Sequence, residues 1–191
     1  MNNETLSENT PILVEKSGPL HGSVTVSGAK NSALKLMAAC LLAPGTFTLR
    51  NVPAIADVKW MAELLEHMGA SISFNENELT INVPETLTPE APYELVERMR
   101  ASIVVLGPLL ARFGTARVSV PGGDDFGHRP IDMHLRGLEE LGAEFTTSHG
   151  YIQATSAGLT GTRVLLEFPS VGATENLLMA AVLAEGTTII D

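Results

Sequence analysis

The chain has 191 residues, 45% of them apolar, and its 12 Lys and Arg stand against 22 Asp and Glu for a net charge of −10. This suits one domain, or two small ones, with a real core, and excludes a disordered chain; the acidic balance argues against a nucleic-acid binder, which needs a basic face for phosphates. No apolar run is long enough to span a membrane, Met1-Asn2-Asn3-Glu4 lacks the features of a signal peptide, and Cys40 as the single cysteine allows no internal disulfide or cysteine zinc site, so a cytoplasmic protein is expected.

Residues 1–11 are polar and end in Pro11, the pattern of a frayed tail. Ile12 to Glu15 and Ser23 to Val26 read as strands around a Gly18-Pro19 turn. A helix is expected from about Asn31 to Leu42, stopped by Pro44-Gly45, then a strand from Thr46 to Leu49. Asp57 is a candidate cap for a second helix that ends at Met68, with Gly69 in the favoured position beyond the end. Strands follow at Ser71 to Phe74 and Leu79 to Val83, and the prolines at 84, 89 and 92 mark a connection. Further on, helices are expected over Ile131 to Leu141 and about Ala173 to Ala184, and a strand over Thr187 to Ile190.

Parts of this pattern recur. Leu65-Glu66-His67-Met68-Gly69-Ala70 matches Leu138-Glu139-Glu140-Leu141-Gly142-Ala143, and each is followed by strand, turn and strand. The stretch Ala39 to Thr46 matches Ala180 to Thr187. The repeats define an α/β chain of related β-α-β-α-β-β units starting near Val24, Ala101 and Arg163, each burying its face against its siblings. The third unit reaches Asp191 without its second helix and last two strands, so a cut chain is expected.

Four places carry candidate chemistry. Val26-Ser27-Gly28-Ala29-Lys30-Asn31 runs from a strand through a glycine turn into a helix, where free N–H groups and the Lys30 charge suit a phosphate or carboxylate. The structural alternative is a solvated Lys30 with Asn31 as a cap. The loop Pro121 to Arg129 holds Gly122, Gly123 and Gly127 among many ionisable groups. Asp124 or Asp125 could serve as general acid or base, and Arg129 could bind an anionic substrate bidentately. A metal cluster of Asp124, Asp125, His128, Asp132 and His134 lacks any recognised ligand spacing, and a solvated turn with Asp132 as helix cap also remains open. His134 falls inside the expected helix, where a packed or hydrogen-bonded role is the commoner one. Ser170-Val171-Gly172 offers N–H donors at another helix start, or is simply a capped turn. Arg98-Met99-Arg100 opens the second unit, and an arginine there facing the same cleft would suit a polyanion. Cys40 and the methionines at 37, 61, 68 and 179 read as helix packing.

Together, Ser27-Gly28-Ala29-Lys30-Asn31, Met99-Arg100-Ala101-Ser102, Pro121-Gly122-Gly123 through Arg129-Pro130-Ile131-Asp132, Ser170-Val171-Gly172-Ala173-Thr174 and Ala184 to Ile190 resemble the UDP-N-acetylglucosamine 1-carboxyvinyltransferase family of enolpyruvyl transferases, from about Ile12 to Asp191. The resemblance implies an inside-out α/β barrel. Residues 1–28 would belong to a second globule, and 29–191 would form a substrate globule of units at about 24–92, 93–160 and 161–191, the last incomplete. It implies transfer of the enolpyruvyl group of phosphoenolpyruvate to the 3′-hydroxyl of UDP-N-acetylglucosamine in peptidoglycan precursor synthesis, by addition and elimination, with no cofactor or metal. Its partners would be these two small molecules and the missing C-terminal half, and the fragment alone is expected to be inactive.

By the same resemblance, Lys30, Asn31 and Arg129 hold phosphoenolpyruvate. Arg100, Arg129, Pro130, Ile131, Asp132, Met133, Ser170, Val171 and Gly172 contact the UDP-sugar, and the loop from Pro121 to Gly127 closes over both. Asp124 stands where the family usually carries cysteine and would be the general acid; its site must raise its pKa from the ordinary value of about 3.9, or activity should favour lower pH. Without that thiol, resistance to the epoxide fosfomycin, which alkylates it, is expected. The related shikimate-pathway enolpyruvyl transferase is the nearest alternative, but its phosphate motif typically reads Gly-Asp-Lys-Ser, where this chain has Gly28-Ala29-Lys30-Asn31. A non-catalytic UDP-sugar-binding half-protein is the other.

Overall fold

The structure, a computed structural model, describes residues 11, 13–120 and 131–191. Helix α1 spans Lys30–Ala39 and tightens into a 3-10 turn over Cys40–Leu42. Strand β1 (Gly45–Leu49) leads to helix α2 (Ala56–Met68) and the hairpin β2 (Ser71–Asn75) and β3 (Glu78–Val83). Gly69 ends α2 at φ 112°, a left-handed conformation that any side chain would strain. Asp57 is not the cap of α2. That position is Ile55, without a side-chain cap, and Asp57 sits in the first turn, where its charge still suits the helix dipole.

The next stretch departs from the expected connection. Residues Glu90–Ala91 form a short strand, β4, and Tyr93–Val96 a single helical turn, α3. A 3-10 segment over Arg100–Val105 feeds α4 (Leu106–Phe113) and then β5 (Thr115–Ser119). Beyond the loop come α5 (Asp132–Glu140), β6 (Glu144–Ser148) and β7 (Tyr151–Thr155). Strand β8 (Arg163–Val164), α6 (Val171–Ala181) and β9 (Ile189–Ile190) complete the described elements.

The order helix, strand, helix, hairpin therefore occurs twice, as α1-β1-α2-β2-β3 and α4-β5-α5-β6-β7, with sheet orders β1-β3-β2 and β4-β5-β7-β6. Strand β4 lies parallel to β5, with Glu90 opposite Arg117, and β8 lies parallel to β9, with Arg163 opposite Ile189. The strands expected at 12–15 and 23–26 are not formed among the described residues. Residues 13–28 carry no strand, and Leu13, Val14, Val24 and Val26 are exposed. A strand needs a neighbour's N–H and C=O groups, and no described residue supplies them there.

One core joins the layers. Leu34, Met37 and Leu41 meet Met61, Leu64, Leu65 and Met68 of α2, Leu79 and Ile81 of β3, and Leu106, Leu109 and Leu110 of α4. Each such side chain contributes about 1.5–3 kcal/mol by leaving water. Cys40 is inert core, as expected, and burial pushes its thiol up to about 11.

Two close approaches fix α6. A Cβ on Gly107 would lie 2.5 Å from the carbonyl oxygen of Asn176, and one on Gly137 would lie 2.6 Å from Leu177 Cδ1. Only hydrogen at these two α-carbons lets α4 and α5 both press against α6. Among the described residues no helix is long and apolar enough to cross a membrane.

Candidate functional site

The packing of α6 on its neighbours brings distant segments to one cleft of about 710 Å³. The first turn of α1 contributes Lys30 and Asn31, the 3-10 segment contributes Arg100, and the first turn of α6 contributes Val171 and Gly172. Two helix N-termini open into the same space, and the first turn of each leaves backbone N–H groups without an intrahelical acceptor. Ser170 Oγ satisfies one of them by accepting from the Ala173 N–H at 3.3 Å. Lys30, Lys35, Arg98 and Arg100 line the cleft against two carboxylates, Asp57 and Glu175, so the space is cationic within an acidic chain.

The cations are held in place. Lys30 Nζ lies 3.2 Å from Asp57 Oδ1, and Arg98 donates to Glu63 at 3.1 Å. Lys35 Nζ lies 2.7 Å from Glu175 Oε2 without hydrogen-bond alignment. The more exposed pairs, Lys30–Asp57 and Arg98–Glu63, contribute little to stability, so their main effect is to hold positive charge at the cleft wall.

His134 reaches the cleft from α5 and is 93% buried (7% exposed). Its Nδ1 lies 3.0 Å from Asn176 Nδ2, which confirms a packed and hydrogen-bonded histidine. Burial, and then the nearby Arg100, push its pKa down to about 4, with Asp132 pulling weakly the other way. The ring is neutral at ordinary pH.

A family profile described as EPSP synthase (3-phosphoshikimate 1-carboxyvinyltransferase) matches residues 14–191. The chain belongs to this enolpyruvyl transferase family. Among its curated relatives, UDP-N-acetylglucosamine 1-carboxyvinyltransferase 2 of Carboxydothermus hydrogenoformans is 54% identical over 94% of the chain, and the corresponding enzyme 1 of Caldanaerobacter subterraneus is 50% identical over 95%. The chain spans 43% and 44% of those two relatives' lengths. The enolpyruvyl transferase NikO of Streptomyces tendae superimposes with a TM-score of 0.75 over 90% of this chain and 40% of its own, at 24% identity. EPSP synthase of Acinetobacter baumannii does so with 0.69 over 88% and 40%, also at 24%. These structures share the mixed α/β fold.

Within this family member, Lys30, Asn31, Arg100, Val171 and Gly172 meet at the cleft. Ser170 faces a smaller neighbouring pocket of about 440 Å³, with Phe168 and Ile190. Met133 turns into the protein instead, at 6% exposure, and Ile131 packs on the core. Asp132 does not cap α5, because the cap position is Ile131. The Asp132 Oδ1 atom is buried without a hydrogen-bond partner among the described residues. Asp124, Arg129 and Pro130, with the rest of the loop from 121 to 130, lie outside the described residues. No group of three or more metal-ligating side chains occurs among the described residues.

Sequence reasoning missed Lys35, Trp60 and Asn176. Lys35 looks like one more solvated helix position, and only the approach of α6 turns it into a cleft residue. Asn176 lies mid-helix with no motif of its own; its one signal is a polar residue among the apolar Leu177, Leu178 and Met179.

Proposed function

We propose that the protein transfers the enolpyruvyl group of phosphoenolpyruvate to the 3′-hydroxyl of UDP-N-acetylglucosamine, in the synthesis of a peptidoglycan precursor. The observation that supports this most is the meeting of Lys30, Asn31, Arg100 and the first turn of α6 in one cationic cleft, in a chain 50–54% identical to enzymes of that name. Two anionic substrates need two sets of donors, and two helix N-termini with basic residues supply them.

In the reaction, the 3′-hydroxyl loses its proton to a base and its oxygen attacks C2 of phosphoenolpyruvate, while a general acid protonates the methylene carbon. The tetrahedral adduct then loses a proton from that carbon, its C–O bond to phosphate breaks, and inorganic phosphate leaves. Asp124 is the acid, Lys30 and Asn31 hold the phosphoenolpyruvate charge with Arg129, and Arg100 with the segments 129–133 and 170–172 holds the UDP-sugar. Asp132 Oδ1, without a hydrogen-bond partner among the described residues, supports a polar ligand contact at α5. Loop 121–127 excludes water while the adduct exists.

The same reading assigns the elements to an inside-out barrel of three units, with residues 1–28 packing on a second globule. The general base then comes from residues outside this chain, which covers less than half of its relatives' length. By itself the chain binds UDP-sugar and does not turn over. Calorimetry with UDP-N-acetylglucosamine, beside shikimate 3-phosphate, tests the acceptor. Binding of the UDP-sugar alone supports the proposal, and preference for shikimate 3-phosphate overturns it.

A further inference from the structure

Asn176 is fully buried and its amide has three partners. Its Oδ1 accepts from the Gly107 N–H at 2.9 Å, and its Nδ2 lies 3.4 Å from the Ile103 carbonyl and 3.0 Å from His134 Nδ1. The orientation is dictated by Gly107, because a backbone N–H can only donate. The amide oxygen must face it, so the NH₂ group faces the other two partners, and both must accept. His134 Nδ1 is then an acceptor, and the proton of the neutral ring sits on Nε2.

The Nε2 side of the ring faces away from Asn176. Among the described residues it has no hydrogen bond, and it borders the cleft beneath the first turn of α6. A Cβ on Gly172 would lie 3.5 Å from both Cε1 and Nε2. We propose that Asn176 is a positioning residue that locks His134 in the Nε2–H tautomer, so that a neutral, rigid donor meets an anionic oxygen of the ligand seated on the first turn of α6. This rests on the substrate reading above, in which that oxygen belongs to the UDP-sugar diphosphate. The low pKa of about 4 agrees with it, because a neutral ring can be sorted by tautomer. A neutral donor also adds specificity beside Arg100 without adding charge.

The test uses the intact protein. Long-range ¹H–¹⁵N spectra without ligand should show His134 protonated on Nε2 alone near neutral pH. A proton on Nδ1, or an imidazolium, would overturn the lock. Asn176→Asp keeps an oxygen for Gly107 but places a carboxylate at Nδ1. The histidine then holds a proton on Nδ1, and on deprotonation it loses the one on Nε2. UDP-N-acetylglucosamine, whose diphosphate diester does not titrate here, should therefore bind this variant about ten-fold more weakly at about pH 9 than at pH 6. The wild type should show no such step. Arg100, Asp132 and Glu175 around the ring, and Lys30 and Lys35 from α1, remain the same in both proteins.

His134→Gln, which offers an amide donor where Nε2 stood, should remove the step from the Asn176→Asp background. A step that persists there assigns it to the new carboxylate and overturns the proposal, as does a flat profile in folded Asn176→Asp. If the wild type shows the Nε2–H tautomer yet does not bind UDP-N-acetylglucosamine, the substrate reading falls and the tautomer lock stands.

Discussion

Lys35 on α1 and Glu175 on α6 form an ion pair of 2.7 Å at the cleft wall, with side chains only 17% and 32% exposed. It is the least exposed ion pair among the described residues, and it ties together the two helices whose N-termini form the candidate anion site. Lys35→Met leaves the Glu175 carboxylate unpaired where anions are to bind. UDP-N-acetylglucosamine affinity should fall about ten-fold and stability by about 1–3 kcal/mol. Glu175→Gln should lower stability by less and leave affinity within a few-fold. Calorimetry and thermal melting read both; equal affinity losses in the two variants would show that charge at this position does not matter.

Folding stability should depend on pH through His134. Its folded pKa of about 4 lies below the ordinary 6.5, so the unfolded chain takes up a proton that the folded ring resists. The His134 contribution is thus fully present above about pH 6.5 and is lost as pH falls towards 4, to a total of about 3 kcal/mol. Arg100 opposes protonation of the ring and Asp132 favours it. Urea midpoints should fall across it in the wild type and fall less in His134→Gln. Parallel curves for the two proteins would remove His134 as the cause.

The seat of α6 predicts a steric result. Gly107→Ala puts a methyl group 2.5 Å from two Asn176 oxygens, one a backbone carbonyl that cannot swing away. A loss of about 1–3 kcal/mol is expected in urea unfolding. Gly18→Ala, which meets nothing within 4 Å, should stay within about 0.5 kcal/mol.

Much of this architecture was legible in local pattern. The Leu65–Ala70 and Leu138–Ala143 repeat marks two helix ends and the hairpins after them, because period, glycine stop and alternation agree there. Ser170 and Lys30 were legible as residues of helix-start turns. What failed depends on partners distant in the chain. Val24 and Val26 have strand propensity without a described neighbour to pair with, and β4 exists only because β5 offers it an edge. Asn176 and His134 lie 42 positions apart, and only the contacts of Gly107 and Gly137 with α6 explain why they meet.

Asp124 gives the most direct test of the whole account. With phosphoenolpyruvate and UDP-N-acetylglucosamine supplied to the intact protein, phosphate release should require the UDP-sugar, ignore shikimate 3-phosphate, and vanish in Asp124→Asn. Fosfomycin should label Asp124→Cys at position 124 but leave this segment of the wild type unlabelled, because its one thiol, Cys40, is buried with its pKa raised to about 11. Phosphate release that survives Asp124→Asn, or that runs on shikimate 3-phosphate instead, would contradict the assignment of this cleft to UDP-N-acetylglucosamine enolpyruvyl transfer with Asp124 as its acid.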